Sequence, residues 1–322
     1  MQFHWPPARL DFGYHRGLIE VVGQAKTFQG IYRQSRRWIV ARIAVITHEH
    51  DRFLGRRDIL LRRSSPYMLF DILAELKRRG HSVRVQQGLS KPVSADMAVL
   101  HVDATVTPTD YVDYARCFAF CLNIGAADIS KRRISGALID KTDSWQGQVI
   151  VKSNLNNRGI PETLLNRRSE RAGKQPPFPH LPILHPYEIH GSLGDVPDGV
   201  FDCDDLVVEK FIPEREPDGF AVRFWVFCGE RERCTRYVSP NGLVKASETI
   251  RREPVPVPDE LRERRRELGF DYGKFDFVMH EGRAILLDAN KTPGRPQNLV
   301  KMFAAGASDL THGFEGLVHR AK

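Results

Sequence analysis

Residues 274–294 read Lys274-Phe275-Asp276-Phe277-Val278-Met279-His280-Glu281-Gly282-Arg283-Ala284-Ile285-Leu286-Leu287-Asp288-Ala289-Asn290-Lys291-Thr292-Pro293-Gly294. Two short apolar runs flank Glu281-Gly282, which is the pattern of a β-hairpin. Asp276 falls on the first strand. Asp288 and Asn290 fall on the second, two apart, so their side chains share a face. Three oxygen ligands converging on one face, closed by Pro293-Gly294, suit a hard cation such as Mg²⁺. Mg²⁺ held by few carboxylates keeps waters and shares its other positions with nucleotide phosphates, so the pattern points to a metal–ATP site.

The chain around this hairpin has 322 residues, which predicts two or three subdomains. Hydrophobic residues make up 41%, enough for globular cores. Cys117, Cys121, Cys203, Cys228 and Cys234 are odd in number and form no CxxC pair, so they read as thiols of a reducing cytoplasm. The formal charge of +8 fits anionic ligands such as ATP or an acidic substrate. It also fits nucleic acid, but Arg262-Glu263-Arg264-Arg265-Arg266-Glu267 mixes both signs and reads as a solvated helix face. No apolar run is long enough for a membrane helix. Ser35-Arg36-Arg37 resembles an export signal only superficially, because the apolar run after it ends at Thr47-His48. Residues 1–37 show no periodicity and are taken as an extension.

A buried strand is expected at Ala41 to Thr47, followed by a helix with Pro66 near its start. That helix carries Met68, Leu69, Ile72, Leu73 and Leu76 and stops at Arg79-Gly80. Strands follow at His81 to Val85 and Ala95 to Val102, a helix at Asp110 to Ala115, and a strand at Cys117 to Ile124. Alternation of this kind predicts a parallel α/β domain over 38–127. A helix is expected from Ser130 to about Ile139, and a strand from Gln148 to Lys152. Residues 153–200 read as a long loop. Strands are expected at Asp205 to Pro213, Phe220 to Gly229 and Arg233 to Val238, and a helix at Arg262 to Leu268.

The final hairpin, followed by Asp288-Ala289-Asn290-Lys291-Thr292-Pro293-Gly294, resembles the metal-binding end of the ATP-grasp superfamily. Asp288 stands where most members have Glu. The order lysine strand, loop, Glu-Lys strand, arginine strand, helix and acidic hairpin is also similar to that family over roughly 128–300. The resemblance implies an α/β and α+β chain: an ATP-grasp fold with an N-terminal Rossmann-like domain, then a central subdomain (128–210) and a C-terminal one (211–322). It implies Mg²⁺ on Asp276, Asp288 and Asn290. It implies phosphate contacts from Lys152, whose strand-end ammonium needs an anion or water, and from Lys131. Val208 to Ile212 resembles the adenine hinge, with Glu209, Lys210, Phe211 and Ile212 at the base. By that resemblance Glu209 would accept from the adenine amino group or orient Lys152. Asp218, or alternatively Glu216, would hold the ribose. Arg223, the one charge in an apolar run, would face the transferring phosphoryl group.

Residues Asn154 to Gly159 depart from a glycine-rich phosphate loop, having one glycine. Arg251-Arg252 reads as an acceptor-carboxylate contact or as surface charge. His48-Glu49-His50-Asp51 reads as a solvated loop, with substrate contact and a transition-metal site on the two histidines as the alternatives, and His180, His185 and His190 as loop residues. The implied activity is an ATP-dependent ligase joining a small-molecule or peptide carboxylate to an amine, in a cytoplasmic protein of possible homodimeric state. A nucleotide binder without catalysis and a small-molecule kinase are the alternatives.

Overall fold

The computed structural model of the protein describes residues 40–51, 65, 67–91, 93–182, 186–244, 248–295 and 300–320. The expectations for residues 1–37, Pro66 and His185 lie outside these. All the elements below lie within Ile39–Lys322.

The first sheet is parallel, with strand β1 (Arg42–Thr47) between β2 (Ser82–Gln87) and β3 (Met97–His101), and β4 (Cys121–Leu122) beyond β3. β1 is buried from Ile43 onward because helices cover both sheet faces, which is why its sequence is a continuous apolar run. Helix α1 (Met68–Arg78) buries Met68, Leu69, Ile72, Leu73 and Leu76 on one face. Gly80, at φ +93°, ends the turn after it. Helix α2 (Thr109–Ala115) covers the other face with Tyr111 and Ala115. The strand expected over 117–124 shrinks to two residues. Cys117 is exposed in a turn that closes helix α2, and only Cys121 and Leu122 reach the sheet.

The second sheet is antiparallel, with β5 (Val149–Ser153) between β6 (Glu188–His190) and β7 (Leu206–Lys210). Before it, helix α3 (Lys131–Ile134) stops well short of the expected Ile139. Ser135 turns extended and Gly136 weakens any continuation. The open edges of two sheets then capture the segment. Ile139 N–H donates to Val208 O at 3.1 Å, and Gly136 N–H to Leu286 O at 2.8 Å.

The expected loop over 153–200 also holds structure: helix α4 (Ile160–Arg171), strand β6 and the short α5 (Asp198–Phe201). Helix α4 is rich in arginine and buries only Pro161, Glu162, Leu165 and Ser169, so it shows little apolar periodicity. Gly159 at φ +75° and Pro161 in the first turn were its available start signals.

The third sheet is antiparallel in the order β11 (Arg251–Pro254), β10 (Arg231–Ser239), β9 (Gly219–Cys228), β12 (Tyr272–His280), β13 (Arg283–Asn290), with β8 (Glu214–Glu216) pairing β9. Glu281 (φ +49°) and Gly282 (φ +79°) form the hairpin turn. One sheet face buries Trp225, Phe227, Phe275 and Phe277 beneath Leu261 of helix α6 (Asp259–Glu267). The opposite face presents Val222, Phe224 and Val278. Helix α7 (Val300–Arg320) runs back to the first sheet, where Phe314 and Leu317 join the core of α1. Asn123 fastens the first sheet to the third. Its Nδ2 donates to Tyr272 O at 2.7 Å, and its Oδ1 accepts from Asp271 N and Tyr272 N, each at 3.0 Å.

Candidate active site

A cleft of about 270 Å³ opens between the second and third sheets. Its apolar walls are Ile150, Phe211, Ile212, Val222, Phe224, Val278 and Leu287. Its polar end carries Lys131, Lys152, Asp276 and Asp288. A slot with one dry end and one charged end accommodates a flat base joined to phosphates.

The charged end is built by strand register. Asp276 lies directly opposite Asp288, and Lys274 opposite Asn290. The β-bulge that follows Asp276 shifts the pairing of the residues beyond. Lys274 Nζ sits 2.8 and 2.9 Å from the two Asp276 oxygens. Lys131 Nζ donates to Asp288 Oδ1 although Lys131 is only 3% exposed. Burial alone would lower the Lys131 ammonium, but the Asp288 carboxylate outweighs it and holds the pKa above its usual value. Burial pushes the Asp276 carboxyl up. Lys274 opposes that rise and the facing Asp288 charge adds to it.

Two carboxylates that face one another repel, a divalent cation relieves that repulsion, and an amide oxygen two residues along the strand supplies a further hard donor. Asp276, Asp288 and Asn290 therefore fit Mg²⁺ in chemistry and placement. The described residues hold no cluster of three His, Cys, Asp or Glu that would make an all-protein cage.

Lys152 and Glu209 form the second charged element. Their strands pair side by side, and Lys152 Nζ donates to Glu209 Oε2 at 2.6 Å. Glu209 is fully buried. Contact with Lys152 is one of the two roles open to it from the sequence. The Lys152 ammonium also lies 5.8 Å from the centre of the Tyr187 ring. Pairing with β5 runs to Lys210, where β7 ends. Phe211 N–H donates to Gln148 O at 2.9 Å, and the Ile212 amide donates to no backbone group of the described residues. Lys210, Phe211 and Ile212 line the cleft at this point, as the hinge reading expects of them.

Other expected residues are not brought to the cleft. Arg223 pairs in register with Phe277, on the sheet face opposite Phe224 and Asp276. There it binds Glu214, which Arg236 also engages at 3.0 Å. Strand alternation thus turns Arg223 away from the site, and the partner it needs is a structural carboxylate. Asp218 pairs with Arg251 at 3.3 Å, and Glu216 with Arg236 and Arg251, so neither lines the cleft. Arg251 is thereby engaged by acids of its own sheet.

His48-Glu49-His50-Asp51 is not a solvated loop. His48 is buried and stacked on Tyr111 with ring centres 5.3 Å apart. Burial, with His50 adding, lowers its pKa to about 4. Glu49 pairs with Lys174 at 2.5 Å. Lys274, which meets Asp276, and Tyr187, which lines the cleft, were not among the expected residues. Lys274 stands two residues before Asp276 on the same strand face, which was a usable signal, whereas nothing in the sequence marks Tyr187.

No family model matches the chain, and no curated protein does. Solved structures are similar to it. One is D-alanine–D-alanine ligase from Bacillus anthracis complexed with ATP, 16% identical, covering 87% of this chain and 98% of that one at TM-score 0.45. Another is the RimK domain protein ATP-grasp from Sphaerobacter thermophilus, 13% identical, covering 86% and 99% at TM-score 0.45. A third is a RiPP-associated ATP-grasp ligase of Chryseobacterium gregarium in complex with ADP and a leader and core peptide, 10% identical, covering 87% and 97% at TM-score 0.45.

Proposed function

We propose that the protein is an ATP-dependent ligase that joins a carboxylate to an amine through an acyl phosphate. The observation that carries this reading is the pair Asp276 and Asp288, in register and each met by a lysine, at the charged end of an otherwise apolar cleft.

ATP would lie with its base between Ile150, Phe211, Phe224 and Leu287. The Ile212 amide offers a donor to the base edge. Lys131, Lys152 and Lys274 supply positive charge to the phosphates. Asp276, Asp288 and Asn290 would hold Mg²⁺, which neutralises phosphate charge when bound. The acceptor carboxylate attacks the γ-phosphorus in line, an acyl phosphate forms and ADP leaves. The amine then attacks the acyl carbon, phosphate departs, and the amine proton passes to solvent or a base. Positioning and fixed charge supply most of the acceleration.

The substrates are a small-molecule or peptide acid and an amine. The test is product analysis with a panel of acids and amines. ADP and phosphate released only with a matched pair are the expected products. Release of AMP and pyrophosphate, or no release with any pair, contradicts the reading.

A further inference from the structure

Asn290 ends β13 two residues after Asp288, on the same strand face. The atom facing the Thr292 amide must be its carbonyl oxygen, because that amide can only donate, and it does so at 2.8 Å. That leaves one lone pair on Asn290 Oδ1. The Thr292 hydroxyl stands 3.3 Å from the same oxygen and 2.7 Å from Asp103 Oδ1. A hydroxyl has one proton to give, and the shorter, charge-assisted bond to the carboxylate takes it.

Asp103 is itself held in place. The Tyr67 hydroxyl donates to its other oxygen at 2.7 Å. The turn is pinned independently by Lys291, whose Nζ donates to Thr107 Oγ1 at 2.6 Å and Ala127 O at 2.7 Å. With the backbone fixed, the direction of the Thr292 proton is what remains to be set.

We propose that Asp103 is a positioning residue of the cleft: it draws the Thr292 proton away from Asn290 and so leaves the second Asn290 lone pair to a divalent cation. This rests on the Mg-ATP reading above. Without Asp103 the hydroxyl turns to Asn290 and competes with the cation. Without both Asp103 and the hydroxyl, the competition disappears.

The test is the Mg²⁺ concentration that gives half of the ATP-dependent thermal stabilisation, measured on the full chain at fixed ATP. Asp103→Leu is expected to raise it about tenfold, as loss of an outer partner of a metal ligand does. Thr292→Val is expected to leave it within about twofold, and Asp103→Leu/Thr292→Val to regain most of the loss, the lone pair being free again. An unchanged Asp103→Leu, or a double variant no better than the single, overturns the proposal. If Asp103→Leu fails to fold, Thr292→Val still decides. A tenfold rise there would mean that the hydroxyl orients Asn290 rather than competing for it, and would also overturn the proposal. Wild-type protein with no Mg²⁺ response overturns the Mg-ATP reading and this inference together, whereas a normal wild-type response separates the two.

Discussion

Lys152 and Glu209 form a pair whose removal has a calculable cost. The ammonium and carboxylate are 2.6 Å apart, with side-chain exposures of 13% and 0%. Truncating one member of a buried pair leaves the other charged and desolvated, which costs about 3–5 kcal/mol. The exposures set an order within that range. Lys152→Met leaves Glu209 with no access to water, so the cost lies near 5 kcal/mol. Glu209→Leu leaves a lysine that reaches the cleft, so the cost lies near 3 kcal/mol. The double variant removes both charges and is expected to cost less than Lys152→Met alone, a coupling of at least about 3 kcal/mol. Urea unfolding of the four proteins measures it. Saturating Mg-ATP should restore more stability to Glu209→Leu than to Lys152→Met, because the phosphates replace the missing carboxylate as the partner of Lys152. Additive single costs, or equal recovery by both variants, would refute the reasoning.

Three further outcomes follow from the packing and the titrating groups. Phe275→Ala should cost about 3–5 kcal/mol in urea unfolding, since its ring is fully buried with Trp225, Phe227 and Phe270 centred 5.5, 5.1 and 5.0 Å away. Gly313→Ala should destabilise by about 1–3 kcal/mol through overpacking, because its Cβ would come within 1.9 Å of Cys228 O; a thermal melt unchanged from wild type would contradict the helix placement. His101 is buried with neither ring nitrogen hydrogen-bonded, and burial lowers its pKa to about 3 from an ordinary 6.5. The unfolded chain therefore binds a proton that the folded one refuses between those values. Stability should fall as pH drops through that window, by up to about 1.4 kcal/mol per pH unit from this residue. His101→Leu should flatten the dependence, and an unchanged pH profile would sink that assignment.

The elements legible in the sequence were those whose pattern is set locally. The β12–β13 hairpin is written by its alternation and its Glu281-Gly282 turn, and β1 by an apolar run that both faces of the sheet bury. Segments whose structure comes from distant partners were not legible. Residues 135–139 look helical on their own and become extended because Val208 and Leu286 offer carbonyls to their amides. Helix α4 hides because its buried face is narrow and includes Glu162, which accepts from Thr105 N–H at 2.5 Å.

The same division runs through the site. The sequence put Lys152, Glu209, Asp276 and Asp288 on strands, and they lie on β5, β7, β12 and β13 because strand periodicity is set locally. Arg223 was assigned as a lone charge needing a partner, which it does have in Glu214, but its direction depends on alternation relative to Phe277 and Asp276. Lys274 could have been found by the same counting.

Calorimetric titration of ATP with and without Mg²⁺ tests most directly the proposal that Asp276 and Asp288 make the cleft a metal-dependent nucleotide site. Wild-type protein should bind ATP much more tightly with Mg²⁺ than without it. Asp288→Ala should lose that difference while keeping its fold by circular dichroism. Equal ATP affinity with and without the metal in wild type, or a metal dependence that Asp288→Ala leaves intact, would contradict the account.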